Sequence, residues 1–128
     1  SKSLASLDSR LEIVRRHAAE YTKMFSDISE VKLFNIPSKA NPVYWAYLIS
    51  IKDSKQLIKY LRKHNIHASK LHYPNHRYSA FNCSKKLGDT LVQTQLFFND
   101  VVCLPCGWWL GKRDIERVID TIKKYVSK

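Results

Sequence analysis

The first 25 residues carry a periodic apolar stripe, and this stripe limits the possible folds more than any other part of the chain. Its members recur at alternating spacings of three and four residues: Leu4, Leu7, Leu11, Val14, Ala18, Tyr21 and Phe25. Such spacing places side chains on one face of a helix. The stripe therefore predicts an amphipathic helix of about 22 residues, about 33 Å long.

This helix is longer than a small sheet usually covers, because strands of five to six residues reach only about 20 Å. The helix could lie diagonally on the sheet, project beyond the body of the protein, or pack against something absent from this chain. The seam of Leu7, Leu11, Val14 and Ala18 is expected to be covered only in part. With Trp108–Trp109 adding apolar surface, the chain alone is expected to self-associate.

The rest of the chain alternates short apolar runs with polar, periodic segments. Runs rich in β-branched and aromatic residues predict strands at 31–36, 43–51, 66–71 and 101–104. Asp53 and Gln56 have a capping-box spacing that predicts a helix start. Further helices are predicted at 91–100 and 112–126. The inward residues of the second and last helices are expected to be Leu57, Ile58, Leu61, Ile115, Val118, Ile119 and Ile122.

The order α-β-β-α-β-α-β-α predicts an α+β fold, an α/β sandwich with a small, mainly antiparallel sheet of about four strands packed with helices. With 128 residues and no linker or repeat, the chain is predicted to be a single domain over residues 1–128. No apolar run approaches the roughly 18 residues of a membrane span, and the N-terminus lacks a secretion-signal pattern. Three cysteines do not suggest a disulfide framework. We therefore expect a cytoplasmic protein without a membrane partner.

The net charge of +11 predicts affinity for acidic partners such as nucleic acid, phosphorylated metabolites or an anionic surface. Lys and Arg are spread over the helices, however, which is typical of solvated faces. Aromatic residues among bases, as on a single-strand binding platform, occur only at Tyr44–Trp45 and Trp108–Trp109. Nucleic acid is therefore not the expected partner, and RNA binding is kept as an alternative.

Catalytic and metal-binding patterns are weak. Cys103 and Cys106 have a C-x-x-C spacing, but they end an apolar strand instead of opening a helix, so buried cysteines are favoured over a redox site. His72 and His76 are four residues apart, yet Pro74 between them breaks the helix that would aim both at one metal. No phosphate-binding glycine motif occurs. We therefore assign no catalytic and no metal-binding residue.

Two segments instead suggest contact with a ligand. Residues 72–81 form a polar, aromatic, proline-broken stretch, and residues 101–110 form an apolar run that ends in Pro, Gly and two Trp. Loops that combine imidazole, phenol and guanidinium groups contact ligands more often than they fill a core.

The chain also resembles the C-terminal small domain of the DegT/StrS family of pyridoxal-phosphate-dependent aminotransferases, which act on nucleotide-linked keto sugars. The similarity covers nearly the whole chain. It is carried by five segments in order: Leu7–Tyr21 with its paired Arg and Ala-x-x-Tyr, Val43–Tyr47, Leu61–Ile66, the H-Y-P of His72–Pro74, and Val102–Pro105. Residues 75–81 and Gly107–Leu110 depart from many family members, so the identity of the sugar does not carry over.

The resemblance implies that this chain is one wall of the substrate cleft in a larger enzyme. His72 and Tyr73 would contact the sugar or its diphosphate, and His76 and Arg77 are weaker candidates for the same anion. Pyridoxal phosphate and an amino donor would serve the complete enzyme, a homodimer formed through the large domain. The family's cofactor-binding region lies N-terminal to the matched part. This chain alone is therefore predicted to bind no cofactor and to be inactive.

Two other classes remain open. A non-catalytic basic module would bind RNA or a nucleotide sugar with salt-dependent affinity. An interaction domain would dock through the stripe from Leu4 to Phe25. A relative without the Schiff-base lysine could also be a dehydratase.

Overall fold

Four helices and a small sheet form the part of the chain described by the computed structural model, which is residues 2–80 and 91–128 without the side chains at positions 2, 3, 5 and 76. The elements, in order, are α1 (Lys2–Phe25), β1 (Lys32–Leu33), β2 (Tyr47–Ser50), α2 (Ser54–Lys63), a 3₁₀ turn (Asn75–Arg77), α3 (Val92–Asp100), β3 (Val101–Leu104) and α4 (Lys112–Val126). The predicted α+β class is confirmed.

The sheet is antiparallel, with strand order β1-β2-β3. In the central pairing, Tyr47 lies opposite Leu104 and Ser50 opposite Val101. The strands predicted at 31–36 and 43–51 exist but are shorter, at Lys32–Leu33 and Tyr47–Ser50. The strand predicted at 101–104 is confirmed.

The strand predicted at 66–71 is wrong, since only Ser69 pairs, in a single bridge with Cys103. The Ala68 N–H donates instead to the Ile66 carbonyl at 3.0 Å, in a tight turn. Pro74 has no N–H to continue a ladder on the other side. The described part of the sheet therefore has three strands. Residues 70–78 lie outside the sheet and form the surface that carries the candidate site.

The core lies between the sheet and helices α1, α2 and α4. All seven residues predicted to face inward from α2 and α4 are buried: Leu57, Ile58, Leu61, Ile115, Val118, Ile119 and Ile122. At the end of α1, Tyr21 and Phe25 are fully buried, and the Tyr21 hydroxyl donates to the Pro105 carbonyl at 2.8 Å. The first helix is thereby fixed to the turn that follows β3.

The apolar stripe of α1 is covered along only part of its length, as predicted. Val14 and Ala18 are buried, whereas Leu4 and Leu7 are 66% and 47% exposed. The N-terminal part of the helix therefore extends beyond the core. Among the described residues, no helix has both the length and the apolar content to span a bilayer.

The helix start predicted at Asp53 is confirmed, since Asp53 is the N-cap residue of α2, but the predicted capping box is wrong. Asp53 has left-handed backbone angles, with φ of 57°, and its side chain makes no capping hydrogen bond. Its carbonyl instead accepts from the Gln56 N–H at 2.8 Å. A side-chain capping hydrogen bond occurs on α4, where the Asp114 carboxylate accepts from the Gly111 N–H at 2.7 Å.

Candidate functional site

The ring of Phe98, on α3, is the centre of the surface formed by the His-Tyr segment. Tyr73 meets it edge to face, with ring centroids 5.7 Å apart and planes at 86°. Tyr78 meets Tyr73 in the same way at 5.3 Å and 82°. Edge-to-face pairs are favoured because the positive edge of one ring faces the negative face of the other. We call Tyr73, Tyr78 and Phe98 the loop aromatic cluster.

Arg77 brings a positive charge to this cluster. Its guanidinium carbon lies 5.7 Å from the Tyr73 ring centroid and 5.8 Å from that of Phe98. Both distances are within the range of cation–π attraction. The guanidinium also donates to the side-chain oxygen of Gln95, on α3. Arg77 is thus held beside Tyr73 at the surface, where its fork can bind a phosphate or carboxylate in bidentate fashion.

Lys70 contacts the loop aromatic cluster at Phe98. Its ammonium group donates to the Phe98 carbonyl at 2.8 Å, and also to the Asn99 carbonyl and the Ser54 hydroxyl. It lies 5.5 Å from the Phe98 ring centroid. Burial lowers the pKa of Lys70, while nearby Asp100 opposes that change. Lys70 therefore joins the C-terminal end of α3 to the start of α2 and fixes the ring on which Tyr73 rests.

His72 has a different partner from its neighbour Tyr73. Its imidazole stacks on the indole of Trp45, with centroids 5.7 Å apart and planes at 24°. Trp45 belongs to the loop before β2 and is 68% exposed. The structure therefore brings Tyr73 and Arg77 together and places His72 against Trp45. The backbone of His76 is in the 3₁₀ turn, but its side chain is outside the described part of the structure.

A groove lies beside Trp45, with a volume of about 610 Å³. At its floor the hydroxyls of Thr22 and Tyr47 share a hydrogen bond of 2.7 Å. Asn35 and Tyr44 also line it. Burial raises the pKa values of Tyr44 and Tyr47, so both phenols stay protonated and can donate or accept hydrogen bonds.

The C-x-x-C cysteines are buried, as the sequence predicted. Cys103 and Cys106 are 4% and 1% exposed. Burial raises the pKa of Cys103 and raises that of Cys106 to about 12. A thiol that stays protonated is a poor nucleophile and metal ligand. Within residues 2–80 and 91–128, no group of His, Cys, Asp and Glu could hold a metal ion.

A second groove, of about 540 Å³, lies between α1 and the start of α4, and its lining includes Arg16, His17, Glu20 and Trp108. His17 is buried, and its Nδ1 has no hydrogen-bond partner among the described residues. Burial, together with the charge of Arg16, lowers the pKa of His17. The Arg10 guanidinium lies 4.2 Å from the Trp108 ring centroid. The Trp109 ring lies over Gly107, in the space that a β-carbon at position 107 would need.

Sequence reasoning did not identify Trp45, Phe98, Gln95 or Lys70 as part of a site. The aromatic residues of 43–51 predict a strand, and Tyr44–Trp45 weakly indicate a single-strand binding platform, but neither pattern predicts a contact with His72. Because the strand begins at Tyr47, Trp45 lies in the preceding loop and is free to meet His72. Phe98 and Lys70 are brought together because the Lys70 ammonium donates to carbonyls at the end of α3, a contact that sequence periodicity does not reveal.

Three comparisons with known proteins bear on this chain. The model of the DegT/DnrJ/EryC1/StrS aminotransferase family matches residues 1–123. Among curated proteins, no sequence matched. Solved structures of similar fold are numerous.

The sugar aminotransferase CalS13 from Micromonospora echinospora is 27% identical, with a TM-score of 0.87 over 94% of this chain and 32% of its own. DesV from S. venezuelae, solved in complex with a ketimine intermediate, is 23% identical, with a TM-score of 0.90 over 98% of this chain and 34% of its own. PseC from Helicobacter pylori, an aminotransferase involved in the biosynthesis of pseudoaminic acid, is 18% identical. Its TM-score is 0.83 over 97% of this chain and 34% of its own. The chain thus spans about a third of the length of the solved structures it matches.

Proposed function

Because this chain belongs to the DegT/DnrJ/EryC1/StrS aminotransferase family, we propose that it forms one wall of the substrate cleft in an enzyme that aminates a nucleotide-linked keto sugar. The similarity to a structure named as a sugar aminotransferase supports a sugar as the substrate. The complete protein would use an amino donor and act in the cytoplasm as a homodimer formed through its large domain.

The observation that carries the proposal is the arrangement of Tyr73 and Arg77 on Phe98. Tyr73 is 42% exposed and presents a phenol, and Arg77 presents a guanidinium beside it. The pair offers a hydrogen-bonding group and a fixed cation, as a diphosphate linked to a sugar requires. His72 extends the same wall with an imidazole that can donate or accept.

The family's enzymes use pyridoxal phosphate, which serves as an electron sink for amino transfer. The described residues do not fit this cofactor. The amine of Lys70, whose pKa is lowered, already donates to three protein oxygens. This wall would therefore bind and orient the substrate, while the cofactor is held elsewhere in the complete protein.

The proposal is tested on the complete protein that contains this chain. Purified protein is mixed with pyridoxal phosphate, glutamate and a panel of nucleotide-linked keto sugars, and amino-sugar products are identified by mass. We expect an amine product from at least one sugar. A protein that took up no cofactor and made no product, yet bound RNA in a salt-sensitive manner, would favour a non-catalytic basic module.

The chain alone is predicted to form no site-specific adduct with pyridoxal phosphate. The test is titration with the cofactor, followed by borohydride trapping and peptide mapping. Scattered, substoichiometric labelling of surface lysines agrees with the prediction. A stoichiometric adduct on one lysine contradicts the assignment of this chain as a substrate wall only.

A further inference from the structure

Trp45 occupies an unusual position for a large apolar side chain. It is 68% exposed, yet its ring is held in place by stacking on His72 and it borders the groove described above. A volume of about 610 Å³ is within the range of small-molecule sites, roughly 300–1,000 Å³. A fixed, exposed indole at the edge of such a groove offers a ready platform for a ring-shaped ligand.

The chemistry of the groove is neutral. Among the described residues that line it, none carries a charge. Polar groups come from Asn35, Tyr44 and the Thr22–Tyr47 hydroxyl pair, and apolar surface comes from side chains such as Phe34. The cations lie instead around the loop aromatic cluster, at Arg77 and Lys70. An anionic group therefore has favourable partners at the loop aromatic cluster. A neutral, hydroxylated group has them in the groove.

We propose that the groove beside Trp45 holds the sugar ring of the nucleotide-linked substrate, with C–H groups of the sugar against the face of the indole. This inference rests on the proposed function, and it adds a residue and a location for the sugar. The negative face of an aromatic ring attracts the weakly positive C–H groups of a pyranose. The Tyr44 phenol and the Asn35 amide provide donors and acceptors for the sugar hydroxyls.

The position of His72 links this groove to the rest of the wall. His72 contacts Trp45, whereas the next residue, Tyr73, contacts Phe98 and Arg77. A ligand that binds both sides would cross the backbone between these neighbours. A sugar joined to a diphosphate has this form, since a neutral ring is directly attached to an anion.

The test uses the ¹⁵N-labelled 128-residue chain and two-dimensional NMR. The indole N–H signal of Trp45 is assigned from the spectrum of Trp45→Phe. The probes are UDP-N-acetylglucosamine, UDP and N-acetylglucosamine at millimolar concentration. We expect the nucleotide sugar to shift signals of Trp45, His72 and Arg77, UDP to shift Arg77 without Trp45, and the free sugar to shift Trp45 weakly.

Variants separate stacking from general apolar contact. Trp45→Ala should weaken binding of the nucleotide sugar by about 3- to 10-fold and leave UDP binding unchanged, whereas Trp45→Phe should retain part of the affinity. Trp109→Ala is the matched control, because Trp109 is 69% exposed but lies over Gly107 and does not line this groove. It should bind like the unmodified chain.

The outcomes distinguish the two proposals. Shifts at Tyr73 and Arg77 without Trp45 would overturn the sugar groove and leave the substrate wall standing. A shift of Trp45 by UDP alone would assign the groove to the nucleotide base and overturn the inference. No shift at any of these residues would overturn both.

Discussion

The rings of Tyr21, Phe25 and Tyr47 lie in the core, whereas those of the loop aromatic cluster lie at the surface, although the ring spacings are alike. Centroid distances are 5.7 and 5.0 Å in the core set and 5.3 and 5.7 Å in the loop set. The ring planes differ, at 6° and 36° in the core set and 82° and 86° in the loop set, and so do the neighbours. In the core, the Tyr21 hydroxyl donates to a carbonyl and Tyr47 pairs with Thr22. At the surface, Arg77 and Lys70 lie near the rings.

The two sets therefore differ both in ring packing, stacked or tilted in the core and edge to face at the surface, and in the polar partners of the rings. A buried hydroxyl must find a protein partner, because an unpaired one costs about 1–3 kcal/mol. A surface ring accompanied by cations can accept an anionic ligand without first breaking the core. Stability and function should therefore respond to substitution in opposite ways in the two sets.

The largest expected effect is on stability. Tyr21→Ala removes a fully buried ring and should lower the free energy of unfolding by about 3–5 kcal/mol, as for other large buried aromatics. The matched variant Tyr78→Ala, at a residue 47% exposed, should lower it by less than about 1 kcal/mol. Urea denaturation of both variants measures this. Equal losses would remove the distinction between the two sets.

The next effect is on activity. In the complete protein, the double variant His72→Ala with Tyr73→Phe should depress kcat/KM by one to three orders of magnitude, about 1.4–4 kcal/mol of transition-state stabilisation. The melting temperature should hardly change, because loop side chains contribute little packing. Tyr60→Phe, on α2 beside Tyr125, is the control. Unchanged activity with lower stability would make both residues structural.

A smaller effect concerns alkaline pH. Burial raises the pKa of Tyr21 above its ordinary value of 10.0. Above about pH 10 the unfolded chain loses this proton and the folded chain keeps it, so the free energy of unfolding falls as pH rises. Tyr21→Phe should flatten this fall. Comparing the two proteins between pH 9 and 11 cancels the contribution of Cys106, which both retain; parallel curves would contradict the prediction.

The parts of the fold that sequence predicted well are those governed by local periodicity. The inward faces of α2 and α4 follow from spacings within each helix, and every predicted residue is buried. The prediction of a strand at 66–71 is wrong because strand pairing depends on backbone partners distant in sequence. The Ala68 N–H donates instead to the carbonyl of Ile66, two residues earlier. Asp53 is the N-cap residue of α2 as predicted, but its side chain makes no capping hydrogen bond, because its left-handed backbone, with φ of 57°, is not visible in residue type.

For the site, sequence located the segment but not its partners. Imidazole, phenol and guanidinium groups in a proline-broken loop predict ligand contacts by His72, Tyr73, His76 and Arg77. Phe98 and Trp45 complete the surface from positions 20 and more residues away. Only the packing of α3 and of the loop before β2 brings them together, and no spacing along the chain encodes that. The roles assigned to all these residues stay predictions.

Because the ring of Trp109 lies over Gly107, we expect substitutions at these two positions to be correlated. A side chain at 107 would displace the indole and remove its contact with the backbone at this position. Replacement of Gly107 by Ala should therefore be selected against mainly while Trp109 is present. Among homologous sequences we expect the pair to change jointly, with non-glycine residues at the first position accompanying smaller residues at the second.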